Sequence, residues 1–373
     1  MSAGKLQPFI LAHSVSPKKG ASLRAKLLGW YERAARDLPW RRTRDPYAVW
    51  LSETMLQQTR VDTVIPYYEA FLAAYPTVRE LAEAPEPRVL ALWSGLGYYR
   101  RARMLHAAAK RVATQHGGRL PSEVAELRRL EGVGAYTAGA IASIAFGRPA
   151  ALVDGNVARV LARLFAVEDD VKSAAGAAHL WRLAEALLPD EDGDPGDWNQ
   201  SLMELGATVC VPREPRCSAC PVRGLCAGRA KGIAASLPRT APKRRPTEVR
   251  RSAIVLASAD SVLLARRRVG ALFGGLWEPP TGDGDGTALA RRLGVRRGSL
   301  EAAGTVVHVL SHRRLVIDVA RGPLGGGARR RRPWPIPGPE YDAVEVVALA
   351  EVGRLPHATL ARKILAAAAR IAV

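Results

Sequence analysis

Four cysteines stand within 17 residues, as Cys210-x6-Cys217-x2-Cys220-x5-Cys226, and the chain has no others. Thiols this closely spaced in a reducing compartment suit a metal centre rather than disulfides. Four thiolates hold either a [4Fe–4S] cluster or a tetrahedral zinc ion, and the spacing alone does not choose between them. Two carboxylates also stand out. Glu53 sits in WLSETML (50–56), beside Trp50, Met55 and Leu56. Desolvation there should raise its pKa, which suits a general acid near neutral pH. Asp154 precedes a helical pattern that starts near Asn156, a position where a carboxylate ordinarily caps the helix.

Those groups need elements to hold them. Between Leu130 and Asp154 the chain reads a Gly132-Val133-Gly134 turn, a helix-like segment over 135–146, and then the carboxylate. Two glycines one residue apart permit a tight hairpin and bare backbone N–H groups at the start of the next helix. Such a helix start suits a phosphate. The chain as a whole carries a formal net charge of +20 over 373 residues. A cationic surface gains by releasing counterions from a phosphate backbone, so a polyanion partner is expected. No signal-peptide core and no run near the ~20 apolar residues of a membrane span occurs, which predicts a cytosolic protein.

The length suggests two or three domains of roughly 100–200 residues. Residues 1–20 read as a polar tail. Helical periodicity follows over about 22–36, and 38–50 reads as a loop in which Asp45-Pro46 makes a good helix start. Helices are expected over 49–65, 67–74, 77–83, 87–94, 98–115, 121–130, 135–146, from 156 onward, 173–188 and 197–209. Residues 227–250 read as a linker, with three prolines and few large apolar residues. The periodicity then switches. SAIVLA and SVLLARR form a hairpin pattern, GTVVHVL and HRRLVIDVA two more strands, 322–339 a loop, and 357–371 a final helix.

The motifs LPWR (38–41), WLSETMLQQTRVDTVIPYY (50–68), GLGYYRRAR (95–103), LEGVGAYTAGAIAS (130–143), VDGNVARVLAR (153–163) and the four cysteines occur in that order. They cover most of 22–228. In this the chain resembles the helix-hairpin-helix base-excision glycosylases with an iron–sulfur loop, and among them the MutY-type adenine DNA glycosylases. The resemblance implies a multidomain protein. An all-α glycosylase region would span 21–228, with a six-helix barrel over about 42–146 and a cluster-bearing part from the N-terminal helix plus 147–228. A linker over 229–249 and a Nudix-like α+β domain over 250–373 would follow. It implies one [4Fe–4S] cluster on Cys210, Cys217, Cys220 and Cys226, and a duplex-DNA substrate holding adenine opposite 8-oxoguanine or guanine. It also implies a monomer in the bacterial cytosol, working on the nucleoid.

Site roles follow from the same match. The position of Glu53 protonates adenine, that of Asp154 stabilises the cationic sugar, and Asn156 supports the pair. Separating a proton donor from an anionic stabiliser is the usual carboxylate logic of glycosidic cleavage. Bifunctional relatives carry a lysine where this chain has Tyr136, and a phenol cannot form a Schiff base, so a monofunctional enzyme is expected. Gly132, Val133 and Gly134 would grip the DNA backbone. Gln58 and Tyr98 would open the duplex, one bonding an orphaned base edge and the other wedging into the stack. Arg41 and Gln200 would read the extruded adenine, with Trp40 lining its pocket. Without the match, a Tyr-Tyr pair at a helix start is more often core.

In the C-terminal region, LWEPPTGDGDGTALARRLGV (276–295) stands where a Nudix box would, but its helix carries Arg291 and Arg292 and no glutamate. Magnesium-assisted pyrophosphate hydrolysis needs those carboxylates. The family uses this domain to recognise 8-oxoguanine through a Phe-Ser-His loop; here Leu310-Ser311-His312 keeps the serine and histidine and lacks the aromatic. The competing readings are an endonuclease III-like glycosylase for oxidised pyrimidines and a non-catalytic DNA-damage binding protein.

Overall fold

The computed structural model describes residues 15–190, 193–241, 246–324 and 334–368. The four-arginine run 329–332 and most of the N-terminal tail lie outside them. The chain falls into two compact units, one of 1–58 with 111–242 and one of 59–110 with 243–373.

The first unit is helical. Its elements are α1 (Pro17–Ala34), α2 (Pro46–Leu56), and, after the division, α7 (Val124–Leu127), α8 (Ala135–Ala140), α9 (Gly155–Leu164), α10 (Ala174–Ala186), α11 (Pro195–Thr208) and α12 (Ala227–Ala230). Local chemistry sets several starts. Asp45 accepts from the Ala48 N–H at 2.8 Å with Pro46 at the first helical position, so the loop expected to run to 50 ends at 45. Ser16, Ser173 and Asp194 cap α1, α10 and α11 in the same way. α9 is the hub: Val157, Val160 and Leu161 are fully buried, and α10, α11 and α12 all pack on it. Within the expected linker, α12 forms at 227–230, and the next strand already starts at Thr247.

The helix expected over 121–130 forms only over Val124–Leu127 and the one expected over 98–115 starts at Arg100, and two helices closer to the candidate carboxylates differ more. The helix expected over 49–65 is broken: α2 stops at Leu56, and α3 starts only at Val61. Gln57 leaves the helical region, and Gln58 takes a left-handed φ of 61°. The Gln57 amide donates to Thr137 Oγ1 at 3.3 Å, a tertiary contact that helical periodicity does not encode. The helix expected over 135–146 is α-helical only to Ala140 and continues as a π-helix over Ile141–Ala145. There Ser143 Oγ donates back to the Gly139 carbonyl at 2.7 Å and accepts from Asn199 Nδ2 at 2.9 Å, which widens the turn.

The second unit combines α3 (Val61–Ala74), α4 (Val78–Glu83), α5 (Glu86–Leu92) and most of α6 (Arg100–Gln115) with an α+β region. Its strands are β1 (Thr247–Ala257), β2 (Ser261–Arg267), β3 (Trp277–Glu278), β4 (Thr281–Asp283), β5 (Glu301–Val309), β6 (Arg313–Pro323) and β7 (Tyr341–Ala348), in the order β3-β2-β1-β6-β5 with β4 on β1 and β7 on β2. The expected hairpin β1–β2 is antiparallel, the two further expected strands β5 and β6 also pair antiparallel, and β1 and β6 pair in parallel from Thr247 opposite Arg313 to Ala257 opposite Pro323. β1 is buried without alternation over Ser252–Leu256, as a strand covered on both faces should be. α13 (Thr287–Arg292) seats Leu289 on Ile254, Leu256 and Leu263. α14 (Leu349–Val352) and α15 (Thr359–Ala367) close the described chain.

Candidate active site

α2 is buried along nearly its whole length, and Glu53 is only 4% exposed. Burial pushes its carboxyl up to about 7, and the negative charge of Asp154 adds to the effect. A hydrogen bond from Tyr136 and the charge of Arg41 pull the other way. Tyr136 is the second residue of α8, so the Gly132-Val133-Gly134 hairpin delivers it. Its hydroxyl donates to Glu53 Oε2, and Met203 Sδ lies 3.5 Å from the Tyr136 hydroxyl oxygen.

Asp154 caps α9, as its place in the sequence predicts. Oδ1 accepts from the Val157 N–H at 2.6 Å and Oδ2 from Asn156 Nδ2 at 2.9 Å. Burial raises its pKa, and those hydrogen bonds oppose the rise. Asn156 Oδ1 in turn accepts from Arg159 at 2.9 Å, and Arg159 also donates to the carbonyls of Cys210 and Gly206, both at 2.7 Å. One turn further on, Arg163 donates to Val211 O at 2.7 Å, Pro212 O at 2.9 Å, Leu237 O at 2.9 Å and Cys210 Sγ at 3.3 Å. One face of α9 thus links Asp154 to the cysteine loop. The link needs close packing: a Cβ on Gly206 would lie 2.6 Å from that of Asn156.

The four cysteines line one pocket with Arg163, Val160, Leu205 and Val222. Burial pushes the Cys220 thiol up to about 11, with the charges of Cys210, Cys226 and Cys217 adding to it. Cys226 is raised for the same reasons. Thiols that burial keeps protonated, as at Cys220 and Cys226, become thiolates when a metal's positive charge compensates them, so the chemistry of these donors suits a metal centre. No group of three or more His, Cys, Asp or Glu side chains that could hold a metal ion occurs among the described residues.

Arg41 does not stand free. Its guanidinium donates to Glu204 Oε2 at 2.7 Å and stacks over Tyr31 at 5.4 Å. Arg36 holds the other Glu204 oxygen at 2.7 Å. Trp40 is buried beside it, and Gln200 is half-buried on α11. Of the hairpin residues, Val133 is buried, Gly132 has a φ of 76°, and Gly134 is exposed with open space where a Cβ would be. Gln58 is exposed. All of these belong to the first unit. Tyr98, Ser311 and His312 belong to the second. Tyr98 is 52% exposed with a left-handed φ of 47°, and Ser311 and His312 form the exposed tip of the β5–β6 hairpin. A left-handed backbone at two bulky, exposed residues, Gln58 and Tyr98, is the kind of strain that collects at functional sites.

The sequence reading missed Arg36, Glu204, Arg159 and Arg163. Arg159 and Arg163 left a faint signal, since they follow Asn156 at helical spacing on an otherwise apolar helix. Glu204 left a similar one, a lone acid among Leu202, Met203 and Leu205.

Residues 51–186 match the HhH-GPD superfamily base excision DNA repair proteins, and residues 252–367 match the NUDIX domain. In fold, the chain is similar to a thermostable thymine-DNA glycosylase, 32% identical with a TM-score of 0.52, over 58% of this chain and 100% of that one. It is 39% identical over 364 residues to the adenine DNA glycosylase of Homo sapiens, covering 80% of this chain and 66% of that protein. It is 38% identical over 361 residues to the adenine DNA glycosylase of Rattus norvegicus, covering 80% and 70%. The fold and the site thus define a base-excision repair glycosylase of the HhH-GPD superfamily carrying a Nudix-like C-terminal domain. More narrowly, the chain belongs to the adenine DNA glycosylases, hydrolases of N-glycosyl bonds. Among the described residues no helix is long and apolar enough to cross a membrane.

Proposed function

We propose that this chain removes adenine opposite 8-oxoguanine, and secondarily opposite guanine, from duplex DNA without cutting the strand. The observation that carries the reading is the pairing of Glu53, held protonated up to about pH 7 by burial, with the capped carboxylate of Asp154. Glu53 gives its proton to the extruded adenine, which leaves as a neutral base. Asp154 stays close as the anion that stabilises the sugar cation, and water completes the hydrolysis. Asn156 fixes the Asp154 carboxylate. Tyr136 orients Glu53 and offers no amine for an imine, which supports monofunctional chemistry.

Gln58 and Tyr98 open the duplex, and Gly132, Val133 and Gly134 hold its backbone. Arg41, Trp40 and Gln200 shape the adenine pocket, and Ser311 and His312 meet 8-oxoguanine. Cys210, Cys217, Cys220 and Cys226 would hold one [4Fe–4S] cluster, whose positive core would partly offset the charge of four thiolates. The protein works as a monomer in the bacterial cytosol. Its functional division follows 21–228, 229–249 and 250–373.

Duplexes carrying A:8-oxoG, A:G, A:T or an oxidised pyrimidine, scored for breaks with and without alkali, test this. Alkali-dependent breaks at A:8-oxoG, fewer at A:G and none at the others are expected. Breaks without alkali, or at the oxidised pyrimidine, would overturn it.

A further inference from the structure

Tyr98 sits at the end of a loop that the chain has to force into shape. Gly95 and Gly97 have φ of 107° and 72°, and Tyr98 follows at 47°. Glycine is required at 95 on two counts, because a Cβ there would also lie 2.1 Å from the Tyr67 hydroxyl, which itself donates to Ser94 O at 2.7 Å. A tyrosine in the left-handed region is held there by its surroundings. Part of the hold comes from helix α6: the Arg101 guanidinium lies 5.4 Å over Trp93 and 5.5 Å over Tyr98, and donates to Leu96 O at 3.3 Å.

The rest comes from far along the chain. Tyr99, next to Tyr98 and buried, donates its hydroxyl to the carbonyl of His357 at 2.6 Å. The same hydroxyl accepts from the Gly95 N–H at 3.3 Å. Ser94 Oγ donates to the same His357 carbonyl at 3.0 Å. The receiving turn is itself anchored to the sheet, since Pro356 O accepts from the Trp277 N–H of β3 at 2.8 Å. So one carbonyl of the α+β region collects both ends of the Ser94–Tyr99 loop.

We propose that Tyr99 is a positioning residue for duplex opening: through the His357 carbonyl it lets the C-terminal α+β region set the backbone that presents Tyr98. The inference rests on reading Tyr98 as the residue that enters the duplex. It ties mispair recognition by the C-terminal region to base extrusion chiefly through the buried Tyr99 hydroxyl, without any change in the acid that cleaves the bond.

The test uses the full chain with Tyr99→Phe, Tyr98→Ser and the double variant. Extrusion is followed by 2-aminopurine fluorescence at the target position opposite 8-oxoguanine, and excision by single-turnover kinetics. Loss of one neutral hydrogen bond should lower extrusion by about three- to tenfold in Tyr99→Phe. That loss should vanish in the Tyr98→Ser background, since the two residues act as a unit. The pH dependence of excision should stay that of Glu53. An equal loss in both backgrounds overturns the inference while leaving the reading of Tyr98 intact. Normal extrusion in Tyr98→Ser overturns that reading, and the inference with it. Should Tyr99→Phe not fold, as judged by circular dichroism, Ser94→Ala removes the second donor to the same carbonyl and is put through the same cycle, with a smaller loss expected.

Discussion

Glu53 and Glu278 are both buried, and each accepts a hydrogen bond from a tyrosine hydroxyl, Tyr136 in the helical unit and Tyr341 in the sheet. Around Glu278 the arrangement is closed. Arg267 approaches its Oε1 from two nitrogens at 2.8 and 2.7 Å, and its guanidinium lies 4.9 Å over the Tyr341 ring. The Tyr341 oxygen also takes the Thr281 N–H at 2.9 Å. Among the described residues no arginine hydrogen-bonds or ion-pairs with Glu53 as Arg267 does with Glu278; Arg41 acts on it through space. The nearby Glu204 sharpens the contrast. Its side chain is fully buried, yet Arg36 and Arg41 together outweigh the effect of burial and hold its pKa below the usual carboxylate range. Burial alone therefore does not make an acid. A buried carboxyl keeps its proton near neutral pH when the fold withholds a cation from it.

Replacing Glu53 attacks the first half of that comparison. Glu53→Gln should lower excision by about 10²- to 10⁴-fold, the usual weight of a general acid, with DNA binding retained in a mobility-shift assay. Normal cleavage would remove Glu53 from the mechanism. Stability should move the opposite way. The folded state binds the Glu53 proton more tightly than the unfolded chain, whose value lies near 4.5. Its contribution is therefore complete below about pH 4.5, declines as pH rises toward 7, and is gone above that. At pH 8 the wild type bears the cost of a buried anion that Glu53→Gln lacks. The variant should then be more stable by about 3 kcal/mol, and at pH 4 by nothing, as read from denaturant midpoints at the two pH values.

The sheet pair is the other half. Arg267→Met strands Glu278 as an uncompensated buried charge and should cost about 3–5 kcal/mol of stability. Because that pair closes on itself, the pH dependence of excision should not change. A shift of the excision profile in Arg267→Met would mean that the two buried glutamates are not independent, and the comparison would fail.

How much of this contrast the sequence carried depends on how local its causes are. Asp45-Pro46 and Asp154 announce their helix caps because capping is settled within three residues. The cysteine spacing and the helical-to-strand switch near 250 are equally local. Glu53 was legible as a desolvated acid because its neighbours in α2 are apolar. What was not legible is whether a cation reaches it. Arg36, Arg41 and Glu204 meet across about 160 residues of chain, and Arg267 finds Glu278 through strand pairing. The break at Gln57–Arg60 and the π-turn at Ile141–Ala145 are hidden for the same reason, since Thr137 and Asn199 are their partners. Strand β7 was missed because its pattern, YDAVEVVA, directly follows a proline-rich loop.

The finest probe of the comparison removes only the tyrosine oxygen. The Tyr136 hydroxyl donates to the Glu53 carboxylate and so favours its charged form; without it, the carboxyl should hold its proton to higher pH. Excision needs protonated Glu53 and so declines as pH rises past about 7. In Tyr136→Phe that decline should move upward by about one unit, the worth of a hydrogen bond to a charged group. Single-turnover rates across pH 5.5 to ~9 would show it. A decline that stays at about 7 would mean the hydroxyl orients Glu53 without tuning it. A downward move would mean that the phenol stabilises the protonated carboxyl, so that the tyrosine helps to keep the acid charged with its proton.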